Sequence, residues 1–335
     1  MNRLWAVAFV GACSKMDGGE GETGARSASP VRAVFVADTH VIGPQYECCS
    51  EGAGLDTDSI MKTPERLREV VESINAIAPP PDRVFLLGDV VHDAHHGTDL
   101  SFYLDQETAF SRAADLLSEL TVPLHIVWGN HDYEVRCGGG DSHHSREFTH
   151  SLFEHFFDAP VTDAVSAGEW RFVMLNSQLG PTWDAGSDQC ATGVGSFGAE
   201  QLAWLESELS AGDPTVVMSH HHMIASTARN ENDGPNPDLS TVIGRHDNAR
   251  LHLAGHLHRW VDIAATDVHP VQHIIMGATR YDDDNFWVGE FGADGSIAFR
   301  DYSKPKWNTT CADTWSYTEP WGRVAGAVEG GDCGR

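Results

Sequence analysis

Short apolar runs that end abruptly in polar residues recur along this chain. The most informative run covers residues 126–128 and stops at Gly129, which Asn130, His131 and Asp132 follow at once. An apolar run of this length closed by a glycine predicts a buried strand that ends in a loop. In open α/β sheets, ligands bind beyond the carboxyl ends of the strands. We therefore expect this loop to carry function, although a plain polar turn would show the same local pattern.

The same construction occurs four more times. Runs at 34–37, 84–87, 216–219 and 251–254 lead to Asp38-Thr39-His40, Gly88-Asp89, His220-His221-His222 and Gly255-His256-Leu257-His258, respectively. Each predicted strand is thus followed at its carboxyl end by aspartate or histidine, and none is followed by cysteine. Oxygen and imidazole ligands without thiolates are typical of many protein metal sites. Five such junctions in one chain predict a metal site.

Helical periodicity appears between several of these strands. Apolar residues share one face of a helix predicted over 63–77, which has Thr63 as its N-cap. Because this helix joins the first two runs, it makes a β-α-β unit whose strands should be parallel. Further helices are predicted at 108–120, 145–157 and 198–209, and further strands at 172–175, 272–276, 286–291 and 296–302. The chain is therefore predicted to be an α/β protein.

Composition and charge narrow the class of protein. The chain has 335 residues, of which 41% are hydrophobic, enough for one large α/β domain. Its formal net charge of −27 repels nucleic-acid backbones, so we do not expect it to bind a nucleic-acid duplex. A phosphate-ester small molecule is compatible with this charge, because bound cations would dominate the local field.

Taken in order, the polar blocks resemble those of the calcineurin-like metallophosphoesterases. The blocks are Asp38-x-His40, Gly88-Asp89, Gly129-Asn130-His131-Asp132, the strand-end His220 and Gly255-His256-x-His258. The resemblance implies an α/β fold of four layers, in which two mixed β-sheets are flanked by helices. It also implies a hydrolase of phosphate esters that uses two metal ions.

The resemblance assigns a role to each block. Asp89 would bridge the two ions; the other ligands implied are Asp38, His40 and His258 for one ion, and Asn130, His220 and His256 for the other. Such sites accept manganese, iron, zinc or cobalt, as divalent or trivalent ions. His220 is preferred over His221 because it comes first after its strand, and one of the two following histidines is expected to touch substrate.

The remaining residues of the third block are the predicted catalytic residues. His131 would not be a metal ligand. An imidazole can donate a hydrogen bond to the phosphoryl group or protonate the leaving oxygen near neutral pH. Asp132 would orient His131.

Smaller similarities indicate a branch of the family. The helix start at 63–67, the segment 201–205 and Ser219-His220-His221 resemble class III cyclic nucleotide phosphodiesterases and glycerophosphodiesterases. Met223 departs from that pattern, in which proline is usual. The resemblance thus implies a phosphodiesterase. A phosphomonoesterase with the same metals, or a non-catalytic metal-binding surface lipoprotein, is the alternative.

The start of the chain resembles a bacterial lipoprotein signal. Residues 1–12 hold one arginine and a short apolar stretch, and Cys13 would become the lipidated first residue. An ordinary secretory signal or a misplaced start is the alternative. Residues 13–29 would be a flexible tether, 30–303 the metallophosphoesterase domain and 304–335 a tail. We expect a protein exported to the cell envelope and held at the membrane only by that lipid, or a secreted protein.

Six cysteines remain once Cys13 is set aside, namely Cys48, Cys49, Cys137, Cys190, Cys311 and Cys333. An even number in an exported protein predicts disulfides, although fifteen pairings are possible. The loops that hold the first three are expected to meet near the site, and the last two could close the tail on itself. Free thiols are the alternative, preferred if the protein were cytosolic.

The other histidines of the polar loops are predicted to be solvated surface residues, with a substrate-pocket lining as the alternative for the three that follow Asp89. They are His92, His95, His96, His143, His144, His150 and His155. Trp204 is predicted to pack in the core. Substrate specificity is expected to reside in the loops at 41–62, 92–107, 133–147 and 178–197.

Overall fold

The inner strands of the molecule are the apolar runs of the sequence. The computed structural model describes residues 29–47, 59–92, 97–138, 145–223, 238–266, 270–281, 285–301, 314–318 and 322–324. Within these residues the chain forms two mixed β-sheets, each covered by helices on its outer face. The predicted four-layer α/β sandwich is confirmed.

In the described residues the first sheet has seven strands. They are β1 (Val31–Val36), β2 (Arg83–Leu87), β3 (Leu124–Val127), β10 (Phe286–Phe291), β11 (Ile297–Asp301), β12 (Thr314–Thr318) and β13 (Gly322–Val324). Their order across the sheet is β13-β12-β11-β10-β1-β2-β3. β1, β2 and β3 run parallel, as the β-α-β prediction requires, and the other neighbours pair antiparallel.

The second sheet has six strands over the same described ranges. They are β4 (Asp163–Ala167), β5 (Trp170–Met174), β6 (Thr215–Ser219), β7 (Ala249–Ala254), β8 (Val261–Ile263) and β9 (Gln272–Ile275). The order is β4-β5-β6-β7-β9-β8, in which β5, β6, β7 and β9 are parallel. The short β4 and β8 close the edges in antiparallel pairing.

The two sheets pack face to face through alternate residues of their strands. Along β1, Phe35 contributes to the layer between the sheets, whereas Val34 and Val36 contribute to the layer under the helices. The ring of Phe85 stacks on Phe35 at 5.6 Å and on Phe172 of the second sheet at 4.9 Å. Burying one such ring stabilises the folded state by about 1.5–3 kcal/mol. The sheets thus form a rigid frame for the loops at their ends.

Helices cover both outer faces. The first sheet carries α1 (Thr63–Asn75), α2 (Leu100–Asp105), α3 (Ala109–Leu117) and α4 (Arg146–Phe157), and the second carries α5 (Ala199–Leu209) and α6 (Leu239–Ile243). Short 3-10 turns lie at Pro181–Trp183 and Thr279–Tyr281. Trp204 of α5 packs against the apolar cluster under α5 and α6, in agreement with its predicted packing role. Among the described residues, no helix combines the length and apolar character that crossing a bilayer requires.

Several predicted boundaries differ from the structure. Thr63 is the first residue of α1 rather than its cap: Lys62 holds the cap position, and the Thr63 hydroxyl donates to the Ile60 carbonyl (2.9 Å). Several short elements went unpredicted, namely α2, α6, β4, β8, β12 and β13. The predicted domain boundary at 303 stays a prediction, although β12 and β13 beyond it extend the first sheet.

Candidate active site

Five loops meet where the parallel strands of both sheets end. They follow β1, β2, β3, β6 and β7. Backbone hydrogen bonds join neighbouring loops: His40 N–H donates to Asp89 O (2.9 Å), and Gly255 N–H donates to His220 O (3.1 Å). The seven predicted metal ligands and His131 all lie in these loops.

The backbone of five predicted ligands is left-handed. The φ angle is 52° at Asp38, 48° at His40, 51° at Asp89, 75° at His256 and 54° at His258. This conformation costs a residue other than glycine about 1–2 kcal/mol. Such strain persists where the surrounding structure enforces it, and it clusters at functional sites. Its concentration at this edge marks the edge as the candidate site.

Gly129 allows the third loop to approach Asp89. A Cβ atom on Gly129 would lie 2.2 Å from Asp89 N and 2.3 Å from Asp89 Oδ1. The close approach brings the backbone N–H of His131 to Asp89 Oδ1 (2.8 Å). Glycine is therefore required at this position, because any side chain would push Asp89 away.

The first group of ligand atoms, which we call the first cluster, belongs to Asp38, His40, Asp89 and His258. His40 Nε2 lies 3.0 Å from His258 Nε2 and 3.5 Å from Asp89 Oδ2. His258 Nε2 lies 3.3 Å from Asp38 Oδ1. Both oxygens of Asp38 accept the backbone N–H of His256, at 3.0 and 3.1 Å, which fixes this carboxylate.

The second cluster consists of Asp89, Asn130, His220 and His256. His220 Nε2 lies 3.2 Å from Asp89 Oδ2 and 3.0 Å from Asn130 Oδ1, and His256 Nδ1 lies 2.8 Å from the same amide oxygen. The other ring nitrogen of His220 donates to the Leu87 carbonyl (2.7 Å), so Nε2 is the nitrogen that faces the cluster. Asp89 therefore belongs to both clusters, and His220 rather than His221 completes the second.

Burial controls the charge of two imidazoles. Burial holds the pKa of His40 well below its usual value, and the attraction of Asp89 opposes this shift only in part. Burial, followed by repulsion from His220, lowers the pKa of His256 to about 4. Both rings are consequently neutral at pH 7, the state in which imidazole binds metal ions.

Asp89 and His220 form a buried charged pair when no metal is bound. Burial disfavours the charge on Asp89, but the attraction of His220 prevails and holds the pKa of this carboxyl well below its ordinary value. Burial also disfavours the charge on His220, yet Asp89 raises the pKa of its imidazole to about 9. The Asp89 carboxylate therefore stabilises a positive charge, here the His220 imidazolium, and a metal site must stabilise positive charge in the same way.

The donor set fits two metal ions. In each cluster the carboxylate and imidazole ligand atoms lie within 4.8 Å of one another, and no thiolate takes part. Asn130 adds an amide oxygen between two imidazole nitrogens of the second cluster. Oxygen and nitrogen donors of this kind suit manganese, iron, zinc or cobalt and do not choose among them.

His92 lies beside the first cluster rather than on a solvated loop, so that prediction is wrong for this residue. Its N–H donates to Val41 O (3.0 Å), which draws the second loop onto the first. His92 Nδ1 faces His40 Nδ1 at 3.1 Å. If His40 Nε2 binds a metal ion, its Nδ1 carries the ring proton and can donate it to His92. His95, His96, His143 and His144 lie outside the described residues.

His131 stands between these rings. Its ring centroid lies 4.7 Å from that of His40 and 4.6 Å from that of His92, with the rings of His92 and His131 stacked at 21°. The side chain is half-buried, so it is held in place and still reaches solvent. His131 is therefore placed where a group outside the ligand set can act on a bound ester.

Asp132 is fully buried under the turn that carries Asn130 and His131. Its two oxygens accept the backbone N–H groups of Gly129 (2.7 Å) and Val91 (3.1 Å). Burial, reinforced by repulsion from Asp89, raises the pKa of Asp132 to about 8. These contacts fix the turn between β3 and the site. The predicted orientation of the His131 ring by Asp132 stays a prediction.

The histidines after His220 have different surroundings. His221 is buried, with Nδ1 2.8 Å from Ser177 Oγ and its ring centroid 4.5 Å from that of His256. Its Nε2 atom is buried and has no hydrogen-bond partner within the described part of the chain. His222 is half-buried, and its centroid lies 6.2 Å from His256. The prediction that one of them touches substrate stays a prediction.

His150 is a further residue that the sequence assigned wrongly to the surface. Its Nε2 accepts from the Tyr133 hydroxyl at 3.0 Å, and Asn176 donates to that hydroxyl at 2.7 Å. Burial lowers the pKa of His150 to about 4, so the ring is a neutral acceptor. His155, by contrast, is exposed as predicted.

One disulfide is present in the described residues, between Cys137 and Cys190, whose Cα atoms lie 5.4 Å apart. The expected meeting of the Cys137 loop with the loop of Cys48 and Cys49 lies outside the described residues. Sequence reasoning could count the cysteines but had no signal for this pair. The other four cysteines of the predicted six lie outside the described residues.

Comparison with known proteins identifies the family. The model of the family described as calcineurin-like phosphoesterase matches residues 31–260, which include all the predicted site residues. The chain belongs to this family. The resemblance that its sequence blocks showed is confirmed, and the family description names phosphoesterases, enzymes that hydrolyse phosphate esters.

Two curated relatives of this calcineurin-like phosphoesterase are named as cyclic nucleotide phosphodiesterases. The chain is 28% identical over 189 residues to a probable cyclic nucleotide phosphodiesterase of Synechococcus sp., an alignment that covers 53% of this chain and 58% of the relative. It is 23% identical over 248 residues to the 3′,5′-cyclic adenosine monophosphate phosphodiesterase CpdA of Escherichia coli, covering 70% of this chain and 71% of CpdA. The match thus spans less than two thirds of the Synechococcus protein.

A solved structure shares the fold of this calcineurin-like phosphoesterase. A dimetal phosphatase from Danio rerio superposes with a TM-score of 0.58 at 18% identity. The superposition covers 82% of this chain and 97% of the phosphatase. At this identity the similarity supports the architecture alone.

Proposed function

We propose that this calcineurin-like phosphoesterase hydrolyses phosphodiesters at a dinuclear metal site. The observation that carries the proposal is that two clusters of ligand atoms share one carboxylate, Asp89. The names of the two curated relatives support a diester over a monoester. The metal ions are proposed to be manganese, iron, zinc or cobalt.

The proposed ligands divide between two ions. Asp38, His40 and His258 would hold one ion, Asn130, His220 and His256 would hold the other, and Asp89 would bind both. When bound, ions of this kind supply an activated water nucleophile and positive charge against the phosphoryl oxygens. The left-handed backbones and buried contacts of the ligands hold this arrangement in advance, so little reorganisation is needed.

His131 is the proposed proton donor. The backbone N–H of His131 is tied to Asp89 Oδ1, and the ring is held between the rings of His40 and His92. In hydrolysis the oxygen of water forms a bond to phosphorus as the ester P–O bond breaks. A ring nitrogen of His131 delivers its proton to the departing oxygen, which leaves as an alcohol. The proton that the attacking water releases passes to solvent, from which His131 regains a proton.

Asp132 is proposed as a positioning residue. Its hydrogen bonds to Gly129 and Val91 fix the turn that carries both Asn130 and His131. Because the carboxyl is fully buried, it acts on the reaction through this turn.

We also propose that the protein works outside the cytoplasm. The support is the disulfide between Cys137 and Cys190, since such bonds persist chiefly in oxidising compartments. The export signal at 1–12 and lipidation of Cys13 are part of this proposal, and a lipid-labelling experiment on the expressed full chain tests them.

The experiment that tests the proposed function compares two chromogenic esters in the presence of Mn²⁺. The diester is bis(4-nitrophenyl) phosphate and the monoester is 4-nitrophenyl phosphate. We expect the diester to have the higher kcat/KM. We expect His131→Ala to lower kcat/KM by about 10²- to 10⁴-fold for a diester with an alkyl leaving group, as removal of a general acid does, and by much less for bis(4-nitrophenyl) phosphate, because 4-nitrophenolate leaves readily without a proton. The control is His246→Asn, on the loop after α6 and paired with Glu206 (3.3 Å).

The outcomes separate the alternatives. A preference for the monoester would make this protein a phosphomonoesterase on the same site. Absence of turnover of both esters in protein that holds two metal ions would contradict a catalytic role and favour metal binding alone.

A further inference from the structure

A cavity of about 470 Å³ opens directly beside the metal clusters. Asn130 and His131 line the end that faces the clusters. Cavities of about 300–1,000 Å³ are typical of small-molecule sites, so this one has room for an organic group attached to the scissile phosphate. No residue of the cavity beyond Asn130 and His131 has a role in the proposed chemistry.

Part of the cavity wall consists of three apolar or aromatic side chains that the protein holds in place. Tyr133, Val135 and Trp183 line the cavity and are only 5%, 7% and 3% exposed, respectively. The Trp183 indole donates to the Val194 carbonyl (2.9 Å), and the Tyr133 hydroxyl is held as described above. These contacts keep both aromatic side chains in one orientation. The wall therefore suits a flat, partly apolar ring.

The outer rim carries one acid and one base. Arg136 Nη2 donates to Glu134 Oε1 at 2.5 Å, and the side chains are 58% and 29% exposed. Together a guanidinium and a carboxylate offer both donors and acceptors to a ligand. The carboxylate would repel an anionic ligand group, whereas a neutral heterocycle that both donates and accepts matches the pair.

A disulfide joins the two loops that form the cavity. Cys137 follows Arg136 directly, and its partner Cys190 lies in the loop that supplies Trp183, Thr192 and Gly193. The backbone adds a hydrogen bond from Gly138 N–H to Ala185 O (3.2 Å). The two walls are thus held together before any ligand arrives, which reduces the entropy lost on binding.

We propose that this cavity binds the nucleobase of a nucleotide-type phosphodiester, with Arg136 and Glu134 as the residues that determine specificity. The proposal rests on the proposed function, since the phosphate must sit at the metal clusters while the base occupies the cavity. The flat apolar wall takes the face of the base. The Glu134–Arg136 pair forms hydrogen bonds to the edge of the base.

The kinetic test uses two esters with the same leaving group and the metal-loaded protein. One is the 4-nitrophenyl ester of thymidine 5′-phosphate, and the other is methyl 4-nitrophenyl phosphate. We expect Arg136→Gln to raise KM for the nucleotide ester at least about fivefold, because one charge-assisted hydrogen bond is lost. The kcat for this ester, and both constants for the methyl ester, should be unchanged. Glu134→Gln should act in the same direction.

A matched control is Arg245→Gln. Arg245 is 51% exposed and pairs with Glu206 at 3.2 Å, much as Arg136 pairs with Glu134, but it does not line the cavity. Arg245→Gln should leave KM unchanged for both esters. Equal KM values for the two esters in wild type, or an equal rise for both in Arg136→Gln, would overturn the proposal.

A binding measurement keeps the test independent of turnover. Calorimetry compares adenosine 5′-monophosphate with ribose 5-phosphate, which has the same phosphate and sugar but no base. We expect the nucleotide to bind at least about fivefold more tightly, with the difference lost in Arg136→Gln. Equal binding of both ligands contradicts the base site even if diesters are hydrolysed. If the protein binds the nucleotide more tightly but hydrolyses no ester, the proposed function is contradicted and the base site is not.

Discussion

The two clusters of proposed metal ligands share Asp89 but differ in charge and in the groups that support their histidines. The first contains two carboxylates, Asp38 and Asp89, whereas the second has only Asp89 and the neutral amide of Asn130. In the second, His220 donates to a backbone carbonyl. In the first, His40 Nδ1 is paired with the side chain of His92.

This difference has two consequences. The more anionic first cluster should hold its ion more tightly, because two carboxylates neutralise more of the ion's charge. Its histidine, however, depends on a side chain that one substitution can remove, whereas the support of His220 is part of the β2 backbone. The groups that orient metal-bound histidines affect binding nearly as much as the ligands themselves.

The largest effect is expected where both clusters are disturbed together. Gly129→Ala places a Cβ atom 2.2 Å from Asp89 N, so the shared carboxylate must move. We expect loss of at least about 10²-fold in kcat/KM for the diester, the cost of a misplacement of about 1 Å. Calorimetry should show weaker binding of both ions.

The matched control for this prediction is Gly186→Ala. A Cβ atom there would meet only Asp184 Oδ1 at 3.4 Å, an ordinary contact. Activity and metal binding should be unchanged. Full activity in Gly129→Ala would show that Asp89 is not positioned by the close approach of the third loop.

A smaller effect should separate the two clusters. His92→Ala removes the acceptor of His40 Nδ1–H and leaves the support of His220 intact. We expect affinity for one Mn²⁺ equivalent to fall about 10- to 100-fold while the other equivalent is unchanged. His92→Asn, which keeps an acceptor, should recover part of the loss. Equal weakening of both equivalents would contradict the assignment of His92 to the first cluster.

The smallest expected effect concerns stability and pH. His150 is held neutral by burial with a pKa of about 4, below the ~6.5 of an unfolded chain. Between these values the unfolded state binds more protons, so stability rises with pH and is complete above about 6.5. His150→Asn should flatten the dependence of the urea midpoint on pH between about 6.5 and 4. An unchanged slope would show that His150 is not buried as a neutral acceptor.

Much of the fold and site could be predicted from the sequence, and the reason is local. Each proposed ligand follows an apolar run that ends at a strand terminus, so the positions of Asp38, Asp89, Asn130, His220 and His256 in the loops at one edge were predictable from consecutive residues. The parallel direction of β1 and β2 followed from the helix between them. The confirmed four-layer architecture came from the resemblance to the family.

The remaining features depend on contacts between distant segments. His92 looked like a loop histidine, and only the pairing of the first and second loops brings its ring to His40. The Cys137–Cys190 bond depends on how two loops without a helical or strand pattern fold against each other. Edge strands such as β4 and β8 are short and half-buried, so neither periodicity nor apolar length marks them.

The central claim is that two ions share Asp89, and the direct measurement is the number of Mn²⁺ equivalents bound in a calorimetric titration of metal-free protein. We expect two equivalents for wild type, one retained in Asp38→Asn, and neither bound tightly in Asp89→Ala. His246→Asn should match wild type. A single equivalent in wild type, or two tight equivalents in Asp89→Ala, would contradict the shared dinuclear site.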